Sequence, residues 1–199
     1  IIGGGISGLN AALTAAESGP KILIMEQNSE WGGRCLVDFP FINEEPGLKY
    51  ISRILSELRK YKNVTMRSRM MGAGVYDHGY LLGYERLNDH LSTNVGPRHR
   101  LWRIRAKQII TATGAIERPL SFPGNDIPGI MLASAVRDYA TNFGVAVGDK
   151  VAIFTNNDDA YKTAITLHEI GVTVPVIIDA RSGGGGELAH HAKELGIRV

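Results

Sequence analysis

The spacing Gly3-x-Gly5-x-x-Gly8 constrains this chain more than any other feature. It stands between the apolar pair Ile1-Ile2 and a run in which Leu9, Ala12, Leu13 and Ala16 recur at helical spacing. Three glycines placed so, between a strand and a helix, predict a tight strand-to-helix turn of the Rossmann type. Each glycine has its own reason. Gly3 permits the turn, Gly5 leaves the backbone bare for a pyrophosphate, and Gly8 lets the helix pack against the strand. Gly19-Pro20 ends that helix, Lys21 to Met25 reads as a short buried strand, and Glu26 closes it. An acid at that point accepts hydrogen bonds from a ribose hydroxyl pair and repels a 2′-phosphate. The expected ligand is therefore an adenine dinucleotide without that phosphate. Its cradle is the set Gly3, Gly5, Ile6, Ser7, Gly8, Glu26 and Gln27, with the helix N-terminus facing the phosphates.

The βαβ rhythm continues downstream. Leu48 to Tyr61 carries an amphipathic helical pattern, and Asn63 to Met66 a third strand. The segment 72–107 changes to short alternating runs, read as an antiparallel insertion with one wet face. Gln108 to Gly114 returns to a buried-strand pattern. Gly33 and Arg34 after Glu26, and Thr113 and Gly114 at that strand's end, complete the expected cofactor-binding set. Pro119, Pro123-Gly124 and Pro128-Gly129 punctuate a boundary. The domains expected are 1–122, dinucleotide-binding, and 123–199, a second Rossmann-like unit. With only two residues before the glycines and a strand starting at Gly196 to Val199, the numbering reads as beginning inside a longer protein, its second domain incomplete at the C-terminal end.

The second unit lacks the cradle. Thr155-Asn156-Asn157-Asp158-Asp159-Ala160 stands where the glycines should be, so Asp158 and Asp159 set carboxylates where a phosphate would sit. They are read as acids at a helix N-terminus, and Asp179 as a strand-end residue. No nicotinamide cofactor is expected there. Lys plus Arg is 22 and Asp plus Glu 20, too balanced to predict nucleic acid or an anionic membrane. No apolar run nears the roughly 18 residues of a membrane span. The basic stretch Arg98, His99, Arg100, Arg103, Arg105, Lys107 alternates onto a solvated face with Trp102 as its one aromatic. The single cysteine, Cys35, excludes an internal disulfide or a Cys-pair redox centre and fits a reducing, cytoplasmic setting. No metal site and no catalytic residue is expected; His78 beside Asp77 reads as a turn pair.

Several longer blocks carry a family resemblance. Tyr76-Asp77-His78, Leu101 to Lys107, Ala112-Thr113-Gly114-Ala115-Ile116-Glu117-Arg118-Pro119, Gly129 to Arg137 and Phe154-Thr155-Asn156-Asn157-Asp158 resemble the alpha subunits of bacterial heterotetrameric sarcosine oxidases. The resemblance implies oxidative demethylation of sarcosine to glycine with tetrahydrofolate, giving 5,10-methylenetetrahydrofolate and hydrogen peroxide. It implies NAD+ in the glycine-motif domain, FAD and the amine-oxidising site on a beta subunit, and FMN between the two. Smaller subunits complete the complex, and the amine and the folate are handled outside this segment. By the same resemblance Gly3, Gly5, Gly8, Glu26, Gly33, Arg34, Thr113 and Gly114 hold the NAD+. The residues alone leave FAD open, because both dinucleotides share the adenosine pyrophosphate half. Two other readings stand beside this one: a subunit of a FAD-dependent amine or proline dehydrogenase, and a non-catalytic scaffold subunit with a structural nucleotide. Emptying the site with Gly5→Asp is expected to destabilise the chain.

Overall fold

The computed structural model describes residues 1–92 and 96–199. The part of the expected insertion at 93–95 lies outside the described residues. The chain divides into two units, Ile1–Ala115 and Ile116–Val199.

The first unit opens with α1 (Ile6–Glu17), β1 (Ile22–Met25), the short α2 (Cys35–Asp38), the two-residue strands β2 (Phe41–Ile42) and β3 (Glu45–Pro46), α3 (Gly47–Leu58) and β4 (Val64–Arg67). β1 and β4 pair in parallel, from Ile22 against Val64 to Met25 against Arg67. Ile2 bridges in parallel to Met25 on one side and to Thr111 on the other. The parallel order is therefore β4, β1, Ile2, Thr111, the arrangement of a Rossmann half with its first strand inside. Leu9 and Ala12 from α1, Ile24 from β1, and Ile51, Ile54 and Leu58 from α3 form the core between helices and sheet. Their helical spacing is what makes that face apolar.

The segment Gln108 to Gly114 departs from its expected form. It makes a single bridge at Thr111, and Ile110 is 42% exposed. Among the described residues its sheet partner is Ile2, through Ile2 N–H to Ile110 O and Ala112 N–H to Ile2 O. The antiparallel insertion forms as β5 (Met70–Tyr76), β6 (Tyr80–Arg86) and β7 (His99–Arg105), in the order β5-β6-β7. His78 stands in the β5–β6 turn with φ 60°. The inner side of this sheet is packed by Met70 and Leu81, while the buried Glu85 carboxylate accepts from Trp102 Nε1 at 2.7 Å.

The second unit carries α4 (Ala133–Phe143), β8 (Ile153–Thr155), α5 (Asp159–Glu169), β9 (Ile177–Asp179) and α6 (Gly186–Glu194). β8 and β9 pair in parallel, and Val176 bridges to Arg198, again a βαβ plan. The division falls earlier than the Pro/Gly cluster suggests. Glu117 is the cause: its carboxylate accepts from the Ala133 and Ser134 N–H groups at 3.3 and 2.7 Å, capping α4 and tying the 116–122 stretch to the second unit. The core of this unit is Tyr161, Ala164 and Leu167 of α5 against Ile153 and Ile177. Buried Arg137 reaches the exposed Asp159 carboxylate and the buried Thr163 hydroxyl, so its charge is paired.

Candidate functional site

The turn between Ile2 and α1 is built from glycines that are required for different reasons. Gly3 has φ +106°, and a Cβ there would lie 2.2 Å from Ala112 O. At Gly8 a Cβ would lie 1.9 Å from Gly3 O. Both positions are closed by the protein's own backbone. Gly5 is not. Its φ is −74°, a value open to any residue, and a Cβ would find nothing nearer than 4.0 Å. Neither strain nor crowding within the chain asks for glycine at this position, so the bare side of Gly5 is room left for something else.

The elements around Gly5 frame that room. Gly32 N–H donates to Gly4 O at 2.9 Å, which lays the loop before α2 edge-on against the glycine turn. Gly33 follows, close enough that a Cβ on it would meet Gly5 Cα at 3.1 Å. On the other flank Thr113 N lies beside Gly3, and Gly114 has φ +75° with open space around it. α1 begins at Gly5 with no side-chain cap and no acid in its first turn. Its first N–H groups therefore remain without helix acceptors, an anion-favouring end. Ile6 packs into the core and so offers only its backbone there, whereas Ser7 is exposed.

Glu26 is 5% exposed at the end of β1. One carboxylate oxygen accepts from Gly4 N–H and the other from Asn28 N–H, each at 2.8 Å. The group is thus fixed at the mouth, and a carboxylate with about four lone-pair directions keeps acceptor capacity beyond these two bonds. A cavity of about 240 Å³ adjoins it, lined by Gln27, Asn28, Arg69, Met71, Tyr84 and Arg86. Gln27 itself is exposed, and its carbonyl accepts from Arg86 at 2.9 Å.

Two features differ from the expected set. The Arg34 guanidinium pairs with Asp38 through two 2.7 Å bonds, so its fork is engaged on its own helix. Trp31, which the expected set does not include, packs against the glycine turn: a Cβ on Gly4 would meet its ring at 2.5 Å. The uninterrupted Gly3-Gly4-Gly5 run was the signal for Gly4. Nothing in sequence spacing points to Trp31.

The corresponding mouth of the second unit is filled from within. Arg181 donates to Asp158 at 2.6 Å and to Asp179 at 2.8 Å, and Gly185 N–H donates to Asp158. Tyr161 O–H donates to Asp179 at 2.9 Å. The Arg181 hydrogen bonds hold the Asp179 carboxyl well below the usual carboxylate range despite its burial. Burial, then the bond to Asp179, pushes the Tyr161 phenol up to about 12. Asp158 therefore answers a guanidinium rather than capping α5. Among the described residues no group of three or more His, Cys, Asp or Glu could hold a metal ion, and no helix is long and apolar enough to cross a membrane.

Comparison with known proteins agrees with this fold. The family model of an NAD(P)-binding Rossmann-like domain matches residues 1–66. The chain is 40% identical to the sarcosine oxidase subunit alpha of Rhizobium meliloti (strain 1021), over 93% of this chain and 19% of that protein. It is 38% identical to the same subunit of Corynebacterium sp. (strain P-1), over 100% of this chain and 21% of that protein. The chain thus spans about a fifth of the length of these curated relatives. Among solved structures it is similar to L-proline dehydrogenase from P. horikoshii, with TM-score 0.69 and 24% identity over 89% of this chain and 34% of that one, a likeness of fold.

Proposed function

We infer that this chain, a homologue of one stretch of the sarcosine oxidase alpha subunit, is the nucleotide-holding segment of an amine-oxidising enzyme complex. The open space at Gly5, at a position where the protein's own packing would accept a side chain, carries this reading. NAD+ is the proposed ligand. The N–H groups of Ile6, Ser7 and Gly8 would hold its pyrophosphate, Gly33 and Thr113-Gly114 would border it, and Glu26 would receive the ribose hydroxyls. Arg34, already paired to Asp38, shapes the loop that presents Gly33.

When bound, NAD+ supplies a nicotinamide able to accept hydride. The residues of this chain would bind and orient the dinucleotide. The closed second mouth denies a further dinucleotide a place to dock, which supports a resident, structural role for the first one. Oxidative demethylation of sarcosine, with folate as acceptor of the one-carbon unit, and the flavins FAD and FMN would then belong to the rest of the alpha subunit, the beta subunit and the smaller subunits.

The test is the identity of the small molecule released by denaturing the full-length protein, read by mass. NAD+ near one equivalent supports the reading; FAD in its place would assign the chain to the flavin-dependent dehydrogenases; an empty protein would defeat it. Gly5→Asp sharpens the experiment. The structure corrects the expectation that this change destabilises the chain itself: Gly5 is the N-cap of α1 with extended backbone and free space, where Asp is a favoured residue. Compared as nucleotide-free proteins, the variant should be as stable as the parent or better by about 0.3 kcal/mol. Its dinucleotide content should fall at least about tenfold, because the added carboxylate takes the phosphate's place.

A further inference from the structure

The β5-β6-β7 sheet has two unlike faces. Cross-strand pairing sets Tyr76, Tyr80 and Arg105 in one row, and Met71, Tyr84 and Leu101 in another, on the side opposite the buried Leu81, Gly83 and Glu85. On this outer side Leu101 is 62% exposed, Tyr76 54% and Met71 45%. Aromatic rings, methionine and arginine on a rigid sheet form the composition that marks the centre of a protein interface, not an ordinary wet face. The charges on it have one sign: Arg103 and Arg105 flank the apolar rows, and the three strands place no carboxylate on this side.

That charge pattern selects the occupant. A second copy of the same face would set arginine against arginine. A single-stranded nucleic acid would need open ring faces to stack on. The Tyr80 ring is instead covered by the Arg105 guanidinium at 4.8 Å, and Tyr84 is held by His99, with O–H to Nδ1 at 2.6 Å and ring centroids 5.2 Å apart. We propose that the outer face of this sheet docks a partner subunit through an apolar surface rimmed with carboxylates. The proposal rests on the reading of the chain as part of a hetero-oligomeric oxidase.

The test uses the full-length protein co-expressed with the other subunits of its oxidase. Assembly of the parent complex, read by size-exclusion chromatography, tests the oxidase reading by itself. Given assembly, R103E/R105E and L101D should each weaken retention of the partner about tenfold or more, with dinucleotide content and circular dichroism unchanged. Hydroxyl-radical footprinting should show Tyr76 and Leu101 protected in the complex and reactive in the partner-free protein. Undiminished assembly of both variants would overturn the proposal. So would protection of these residues already in the partner-free chain, which would mean that the chain covers its own face. Salt-sensitive binding of labelled oligo(dT) that R103E/R105E abolishes, with assembly untouched, would overturn it in favour of nucleic acid.

Discussion

The mouths of α1 and α5 share one plan, a parallel strand turning into a helix with an acid at the end of the next strand, and they end in opposite electrostatic states. At α1 the turn carries no acid and no cap, Gly5 is open, and Glu26 is held by two backbone N–H groups. At α5 the helix opens with Asp159, Asp158 precedes it, and the acid on the next strand, Asp179, is bound to Arg181 and Tyr161. The same supersecondary unit thus leaves a positive end for a ligand in one case and neutralises it internally in the other. Fold does not decide function here; the residues in one turn do.

The largest effect expected is at the position that lets α1 approach the sheet. Gly8→Ala puts a Cβ 1.9 Å from a backbone oxygen that cannot turn away, so the helix must be pushed off its strand. A loss of about 3 kcal/mol in urea unfolding is expected, the cost of severe overpacking. A Gly8→Ala protein as stable as the parent would show that the two elements are not packed as described. Set beside Gly5→Asp, this variant separates a glycine required by the protein's own packing from one proposed to serve a ligand.

Glu26→Gln should have a smaller effect. The amide keeps one acceptor but turns a donor toward the Gly4 or Asn28 N–H, leaving one buried group unsatisfied. About 2 kcal/mol should be lost. Nucleotide retention should fall in the same preparations, since the ribose would meet a weaker acceptor. Unchanged stability would mean that the carboxylate is not anchored by the turn.

How far these differences could be read in advance depended on their range along the chain. The glycine spacing, the helical period of Leu9, Ala12 and Ala16, and the alternation of Leu101 to Lys107 are local patterns, and the structure follows them. The acidic second turn was equally local. Arg181 was not legible, because its role exists only where Asp158 and Asp179, distant in sequence, meet in space. Glu117 escaped for the same reason, its partners being the first N–H groups of α4. The rings and arginines of the outer sheet face come from three strands, so the alternation of one strand does not report their grouping. Trp102 points inward to Glu85, while the tyrosines beside Arg103 and Arg105 come from β5 and β6. Residues 108–114 have a buried strand's composition, yet burial also needs neighbours on both sides, which composition does not report.

The smallest effect expected tests the closed mouth through pH. An Asp in the unfolded chain titrates near pH 3.9, and the Arg181 hydrogen bonds hold Asp179 well below that in the folded protein. The folded state therefore releases this proton more readily than the unfolded one. The Asp179 contribution is complete above about pH 4 and is lost as pH falls toward the depressed folded value. Asp179→Asn should lower the melting temperature modestly at pH 7. The gap to the parent should hold down to about pH 4 and shrink as the medium becomes more acid. Arg181→Ala should narrow the same gap, because it removes the group that depresses the carboxyl. Neither change should create dinucleotide binding at α5, since Asp158 and Asp159 would still face any phosphate. A variant gap that stayed constant from pH 7 to strongly acid conditions would show that the Asp158–Arg181–Asp179 bridge does not close this mouth, and with it would go the physical basis for treating the two units as one open site and one sealed one.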